Sequence, residues 1–257
     1  MQNQIHNLSN QPNTKIKEIF NFGLDFIYPD DIKCIICDEE LKECNRYGIC
    51  QQCKLPKNSK FCTVCGNGIV DISPVCDQCK GLTHEYKIAR GALLYKDEVQ
   101  KLIRRYKFGS AKYLARYLAE FALDTYFENS LNCDILTFVP LHKSKLKLRG
   151  YNQAKVLALE IGQQLDKPVI DTMSKIKQLK DTARLSREQR LLAVKDTFAI
   201  NEQIKEQIIQ KNILLVDDVY TTGATANECS RILKQAGAKS INVLTIATGI
   251  ARKPRLA

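Results

Sequence analysis

The sequence predicts an α/β fold in which helices flank a parallel sheet and a small cysteine-rich module of paired knuckles precedes it. Three observations carry that prediction. Between 34 and 79 eight cysteines stand as four Cys-x-x-Cys pairs. From about 86 onward, strand-like apolar runs alternate with helical periodicities. One of those runs, Ile213-Leu214-Leu215-Val216, is apolar throughout, the pattern of a strand covered on both faces. A chain of 257 residues, 44% hydrophobic, has material for one mid-sized domain and an appended module.

At the amino end, 1–33, the stretch Ile19-Phe20-Asn21-Phe22-Gly23-Leu24-Asp25-Phe26-Ile27-Tyr28 reads as a short amphipathic helix ended by Pro29, suited to docking against the body. The module over 34–79 follows. Its pairs are Cys34/Cys37, Cys50/Cys53, Cys62/Cys65 and Cys76/Cys79, with twelve residues between the first two and ten between the last two. A tight turn aims both sulfurs of a pair at one ion, and a second turn completes a tetrahedron, so the pattern predicts two structural zinc ions in a double ribbon-like module. The stretch has too few apolar residues to fold by burial alone, so metal supplies most of its stability. Spacing leaves sequential and interleaved pairing open; sequential pairing is the simpler expectation. Cys62-Thr63-Val64-Cys65-Gly66 has the form of a zinc knuckle, with Gly66 permitting the turn behind the ion. Cys44, Cys133 and Cys229 fall outside the pairs and read as ordinary thiols.

In the α/β region, 86–251, Val99, Leu102, Ile103 and Tyr106 form one helical face, which makes Tyr106 core and leaves Lys101, Arg104 and Arg105 projecting away. Leu114, Tyr117, Leu118 and Phe121 mark a second helix. Ile135-Leu136-Thr137-Phe138-Val139 is a strand stopped by Pro140, and Lys143 to Gly150 reads as a cationic loop. Ala154, Leu157, Ala158, Ile161 and Leu165 give another helix; 174–196 reads as a mobile polar loop leading into a helix. After Ile213–Val216 come a helix over 226–236 closed by Gly237 and a strand over 241–246. Right-handed crossovers are expected between such strands.

Charge is divided unevenly. The formal net of +11 resolves into −2 over 1–85 and +13 over 86–257, and four-thiolate zinc sites would deepen the contrast. A basic body favours anionic partners, phosphates or nucleic acid. No apolar run reaches the ~18–20 residues of a membrane span. The first fourteen residues, rich in Gln and Asn, lack a signal-peptide pattern, so the expected location is cytoplasmic.

The stretch carrying the chemistry is Ile213 to Thr225. A buried strand delivers Asp217 and Asp218 to the carboxyl edge of the sheet, where α/β folds hold ligands. Thr221-Thr222-Gly223-Ala224-Thr225 then leads into a helix, and free amides with the helix dipole make it a phosphate cradle. Two carboxylates beside it are placed to accept hydrogen bonds from a ribose diol. No Gly-x-x-x-x-Gly-Lys loop is present.

Four apolar residues, two acids and Thr-Thr-Gly-x-Thr resemble the signature by which type I phosphoribosyltransferases bind 5-phosphoribosyl 1-pyrophosphate (PRPP). With the paired cysteines, Tyr106-Lys107-Phe108-Gly109, Val139-Pro140-Leu141-His142 and Arg149-Gly150-Tyr151-Asn152-Gln153, the chain resembles the ComF family from about Phe20 to Ala251. The resemblance implies a type I phosphoribosyltransferase-like domain joined to the zinc module, and a role in handling single-stranded DNA during natural transformation, with a competence helicase as a further partner. It implies that Asp217 and Asp218 hold the ribose hydroxyls, that Thr221, Thr222, Gly223, Ala224 and Thr225 bind the 5-phosphate, and that Lys143 and Arg149 face the pyrophosphate. Magnesium would arrive with PRPP on its own oxygens. In the family pattern the 174–196 loop carries a Gln and an Asn where this chain has Thr182 and Ala193, while Arg190 is retained.

Two readings of activity stay open. Salvage enzymes for 6-oxopurines open the phosphate loop with an acid where this chain has Thr221, and His142 reads better as a loop residue bonding main chain, so no dedicated base is evident. The alternatives are a phosphoribosyl-binding competence protein and an active phosphoribosyltransferase of nucleotide metabolism; a zinc-dependent adaptor with a vestigial site is a third. For DNA, the candidate contacts are Lys101, Arg104, Arg105, Lys145 and Lys147, with solvated-face roles equally open for the helix cations.

Overall fold

The computed structural model describes residues 33–70, 72–108, 111–178 and 187–251; the expected helix near 19–29 and Thr182 lie outside the described residues. Two compact units divide the chain, Met1–Gln51 and Gln52–Ala257.

In the first unit a knuckle is closed by backbone bonds from Cys34 N–H to Glu39 O (2.8 Å) and from Asp38 N–H to Cys34 O (3.0 Å). Asp38 takes the left-handed conformation the turn requires (φ 59°). The Ile35 N–H donates to Gly48 O at 2.8 Å, tying this knuckle to the turn that bears Cys50.

The second unit is built on a four-stranded parallel sheet ordered β1-β6-β5-β2, from Ile88–Leu94 (β1), Ile135–Phe138 (β2), Asn212–Tyr220 (β5) and Ser240–Thr248 (β6). Pro168–Ile170 extends it beyond β2, with Leu136 N–H donating to Pro168 O and Ile170 N–H to Leu136 O, both at 2.9 Å. Ile213, Leu214 and Leu215 are fully buried in β5, and each such side chain contributes about 1.5–3 kcal/mol relative to exposure.

Helices α1 (Asp97–Phe108), α2 (Leu114–Glu128), α3 (Lys143–Arg149), α4 (Gln153–Leu165), α5 (Arg187–Val194), α6 (Lys205–Ile208) and α7 (Ala224–Gln235) connect the strands. α2 and α4 pack together over the sheet, and α7 packs on β5 and β6. Two short antiparallel strands, Met173–Lys175 (β3) and Phe198–Ile200 (β4), stand beside the sheet.

Three readings change in detail. The cationic stretch after Pro140 is helical, not loop: His142 Nδ1 accepts from the Ser144 N–H at the start, and Gly150 closes the helix with φ 77°. Of the region read as a mobile loop leading into a helix, 174–196, the start belongs to β3, which pairs with 198–200 beyond it, and 187–194 is the helix. β1 went unrecognised because Arg90 and Gly91 interrupt its apolar run; Arg90 is nonetheless buried, its Nε donating to Asn129 Oδ1 (2.7 Å) and its Nη1 to Thr63 O (3.0 Å).

The segment carrying the third and fourth cysteine pairs lies along β1. Leu94 N–H donates to Pro56 O (2.9 Å), Asn58 N–H to Ala92 O (3.1 Å) and Ala89 N–H to Val64 O (2.9 Å). Gly66 is held at φ 68°, and a Cβ there would collide with the Ala89 carbonyl oxygen, so this knuckle needs glycine on both counts.

Candidate functional site

The tip of β5 and the start of α7 build the site. Asp217 lies on β5 between the buried Val216 and Asp218, three residues before the strand ends at Tyr220; its Oδ1 accepts the Asp218 N–H at 2.9 Å. Burial, reinforced by the charge of Asp218, raises the Asp217 carboxyl to about 7, against the partial opposition of the Asp218 N–H, Lys107 and Lys175. Asp218 is 8% exposed and its Oδ2 lies 2.8 Å from Lys107 Nζ.

The chain then turns through Thr221 and Thr222 to Gly223, which caps α7 in the left-handed conformation at φ 77°. A Cβ at this position would overlap the Tyr220 hydroxyl, so the turn admits only glycine. Thr222 Oγ1 accepts from the Ala224 N–H at 3.5 Å. An open pocket with ≈ 290 Å³ of empty space lies against the turn, lined by Asp217, Val219 and the run from Tyr220 to Ala226 with Thr245. The first-turn amides of a helix have no carbonyl partner within it and are available to an anion.

Two sequence motifs meet at the end of α1. The Tyr106 hydroxyl donates to Gln153 O (2.7 Å), Gln153 Nε2 donates to Lys107 O (3.3 Å), and the Tyr151 hydroxyl donates to Tyr106 O. Tyr106 is fully buried, as its place on the helical face implied. Arg149 lies over the Phe108 ring, 4.9 Å from its centroid, and donates to Gln153 Oε1 at 3.0 Å. The lock holds α1's last turn so that Lys107 points to Asp218 while Phe108 stays outside. Asn152 caps α4 and its Nδ2 donates to Val139 O (3.0 Å), fixing the Val139-Pro140 exit; Val139 N–H in turn donates to Val216 O (3.0 Å).

Lys143, Lys145 and Lys147 are exposed on α3. Lys175, on β3, is mostly buried with its Nζ 4.9 Å from the Phe198 ring centre; burial and the charge of Lys145 lower its pKa, while Cys229 and Asp217 pull it upward. Lys101 and Arg104 are exposed on α1, with Lys101 paired to Glu98 at 2.8 Å, and Arg105 donates to the Tyr113 hydroxyl at 3.3 Å. His142 Nδ1 serves α3 as its cap, a main-chain role.

The acids and the turn were legible in the sequence; Lys107's pairing with Asp218 and the electrostatic influence of Lys175 on Asp217 were not. For Lys175 a weak signal exists, because Met173 and Lys175 share a strand face and the first is core.

The cysteines form two tetrads, Cys34/Cys37/Cys50/Cys53 and Cys62/Cys65/Cys76/Cys79, with all ligand atoms of each within 4.8 Å of one another. Pairing is sequential. Tetrahedral zinc at about 2.3 Å from each thiolate sets sulfurs about 3.8 Å apart; the Cys37–Cys50 and Cys65–Cys76 sulfur separations are both 3.7 Å. Both tetrads could hold zinc. The second is buried throughout, and its thiols polarise one another: Cys65 and Cys79 hold Cys62 far below the usual thiol range, while contact with Cys62 pushes Cys79 up to about 12. His84 Nε2 lies 3.3 Å from Cys79 Sγ.

The family model for the phosphoribosyl transferase domain matches residues 151–256. Competence protein F of Haemophilus influenzae is 29% identical over 226 residues, 84% of this chain and 97% of that protein. Competence protein ComFC of Streptococcus pneumoniae is 25% identical over 236 residues, 90% of this chain and 95% of its own. The glutamine PRPP amidotransferase of B. subtilis, solved with ADP and GMP, overlaps 54% of this chain and 26% of its own at 19% identity and a TM-score of 0.34. With two cysteine tetrads that precede a phosphoribosyltransferase-type parallel sheet along the chain, the protein is similar over most of its length to the ComF-family competence proteins.

Proposed function

We propose that the protein is a ComF-type competence factor that binds PRPP or a related phosphoribosyl ligand and handles single-stranded DNA in natural transformation. The observation that carries the reading is an acid on β5, Asp217, lining an open pocket at a glycine-capped turn that starts a helix, with Asp218 next to it in the strand. In this reading Asp217 and Asp218 accept from the ribose hydroxyls, and Thr221, Thr222, Gly223, Ala224 and Thr225 enclose the 5-phosphate. Lys143 and Arg149 face the pyrophosphate, and Lys107 transfers from Asp218 toward it. Magnesium comes with PRPP, on the ligand's own oxygens. The two tetrads hold structural zinc, in a module over 34–79 followed by a phosphoribosyltransferase-like domain over 86–251.

Single-stranded DNA would run along the exposed cations Lys145, Lys147, Lys101 and Arg104 of α3 and α1 and the partly buried Arg105, with the exposed Phe108 ring as a stacking surface. A competence helicase is the expected protein partner, and the cytoplasm the expected location.

The second reading, an active phosphoribosyltransferase of nucleotide metabolism, is favoured by Asp217, a carboxyl titrating near neutrality beside the pocket. Calorimetry and thermal melting with PRPP and magnesium test the ligand site: wild-type protein should be stabilised by a few kcal/mol at saturation and Asp218→Ala should not. Pyrophosphate release against a panel of bases separates binder from enzyme. For DNA, Lys145→Gln/Lys147→Gln should lower the slope of log affinity against log salt by about 1.4; an unchanged slope removes α3 from the path.

A further inference from the structure

We propose that the second cysteine tetrad and the phosphate turn are one coupled unit, joined by Asn67 and Tyr86 as positioning residues, so that metal in the tetrad holds the turn in its ligand-receiving form. The inference rests on the phosphoribosyl reading of the site and names what regulates it.

Two separate routes connect the elements. The first runs through the knuckle loop. Cys62 N–H donates to Asn67 O at 2.8 Å, and Asn67, 3% exposed, donates from Nδ2 to the carbonyl oxygen of Thr221, the first residue of the turn, at 3.4 Å. Thr248 Oγ1 donates to Asn67 Oδ1 at 2.7 Å, which fixes the amide's orientation. The second route begins at Cys79. Its sulfur contacts His84, whose ring stacks on Tyr86 with centroids 4.9 Å apart. The Tyr86 and Tyr220 hydroxyls share a 2.6 Å hydrogen bond in the interior. Tyr220 in turn underlies Gly223, where no Cβ would fit.

Both routes thus end on backbone that shapes the turn, one at its entry and one beneath its left-handed cap. A closed four-thiolate site cannot act on ligand directly, having no open coordination position. It can act by fixing the loop that carries Asn67 and the ring of Tyr86. Coupling of this kind is reciprocal: ligand in the turn must tighten metal in the tetrad by the same factor that metal tightens ligand.

The test uses full-length, zinc-loaded protein with three forms: wild type, Asn67→Ala and Tyr86→Phe, the last leaving ring packing in place. Zinc release to a chromogenic chelator is followed with and without PRPP–magnesium, alongside PRPP affinity by calorimetry and amide exchange at 221–226. Expected are two zinc ions per chain in all three forms. PRPP should slow release of one ion from wild type at least threefold but not from the variants, whose PRPP affinity should fall about tenfold. Exchange at 221–226 should quicken in the variants while that at 135–138 stays unchanged. Equal release with and without PRPP in a wild type that binds PRPP overturns the coupling. So does unchanged exchange at 221–226 in both variants, a readout that needs no ligand. A wild type that binds no PRPP, yet shows faster exchange at the turn in the variants, overturns the ligand assignment while supporting the mechanical link.

Discussion

Lys107 Nζ and Asp218 Oδ2 stand 2.8 Å apart, both largely withdrawn from solvent. The pair joins the last turn of α1 to the tip of β5, and it neutralises one of two adjacent carboxylates. Removing one partner strands the other charge, which costs more than the pair contributes. Lys107→Met and Asp218→Asn are each expected to destabilise the fold by about 1–3 kcal/mol in urea unfolding. The double variant should recover more than half of that loss; strict additivity would show that the two charges do not interact.

Asp217 gives a pH dependence. Its carboxyl is raised from 3.8 to about 7 by burial and by Asp218, so the folded protein binds that proton more tightly than the unfolded chain does. The stability supplied by the proton is complete below the unfolded value and is lost as pH climbs through 7. Asp217→Asn should therefore raise the melting temperature by at least about 2–4 °C at pH 8 and by little or nothing at pH 4. An equal gain at both pH values would assign the effect to packing. If the carboxylate form receives the ribose, PRPP affinity should rise between pH 6 and 8 in wild type and lose that rise in the variant.

Gly223→Ala imposes a Cβ on a residue at φ 77° and drives it into the Tyr220 hydroxyl. Strain of this sort costs about 1–3 kcal/mol when the backbone stays in place. The turn has an easier escape, which is to change shape. Loss of PRPP-dependent stabilisation with only a modest fall in melting temperature is expected, and undiminished ligand stabilisation would remove the turn from the site.

The two tetrads should respond differently to substitution. Cys65→Ser and Cys37→Ser are each expected to lower zinc content from two ions to one, measured by metal analysis. Cys65 lies in a fully buried tetrad clustered with Tyr86, Ala89 and the interior of the sheet. Cys37 is exposed. Metal binding worth about 10–16 kcal/mol in small zinc modules exceeds or matches the whole stability of a typical domain, about 5–15 kcal/mol. Cys65→Ser should consequently abolish the cooperative melt of the larger unit, whereas Cys37→Ser should leave it.

What the sequence disclosed was whatever one local pattern determines. Four cysteine pairs specify their own turns, and Ile213 to Thr225 contains strand, acids, cap and helix start in continuous order, so the centre of the site needed no tertiary knowledge. β1 needed it, because burial of Arg90 depends on Asn129 and on the Thr63 carbonyl, both distant in sequence. So did Lys107, which shares its helix with the exposed Lys101 and Arg104 and differs from them only in lying where α1 meets β5. Asn67 was the least legible: an amide two residues past a cysteine knuckle resembles any turn residue until Thr221 is brought beside it. The α3 stretch misled for a different reason. Three lysines and an arginine in seven residues suggest a solvated loop, yet the His142 cap and the left-handed Gly150 are sufficient to wind it.

The hydrogen bonds between β1 and Pro56, Asn58 and Val64 have a bearing on how the molecule fails. β1 ends the sheet, and an apolar border strand with open amides and carbonyls is a template for cross-chain pairing. Here the cysteine-bearing segment occupies that border. With zinc in the second tetrad, losing it would bare a sticky seam and favour self-association, so that such a metal would guard solubility as well as shape.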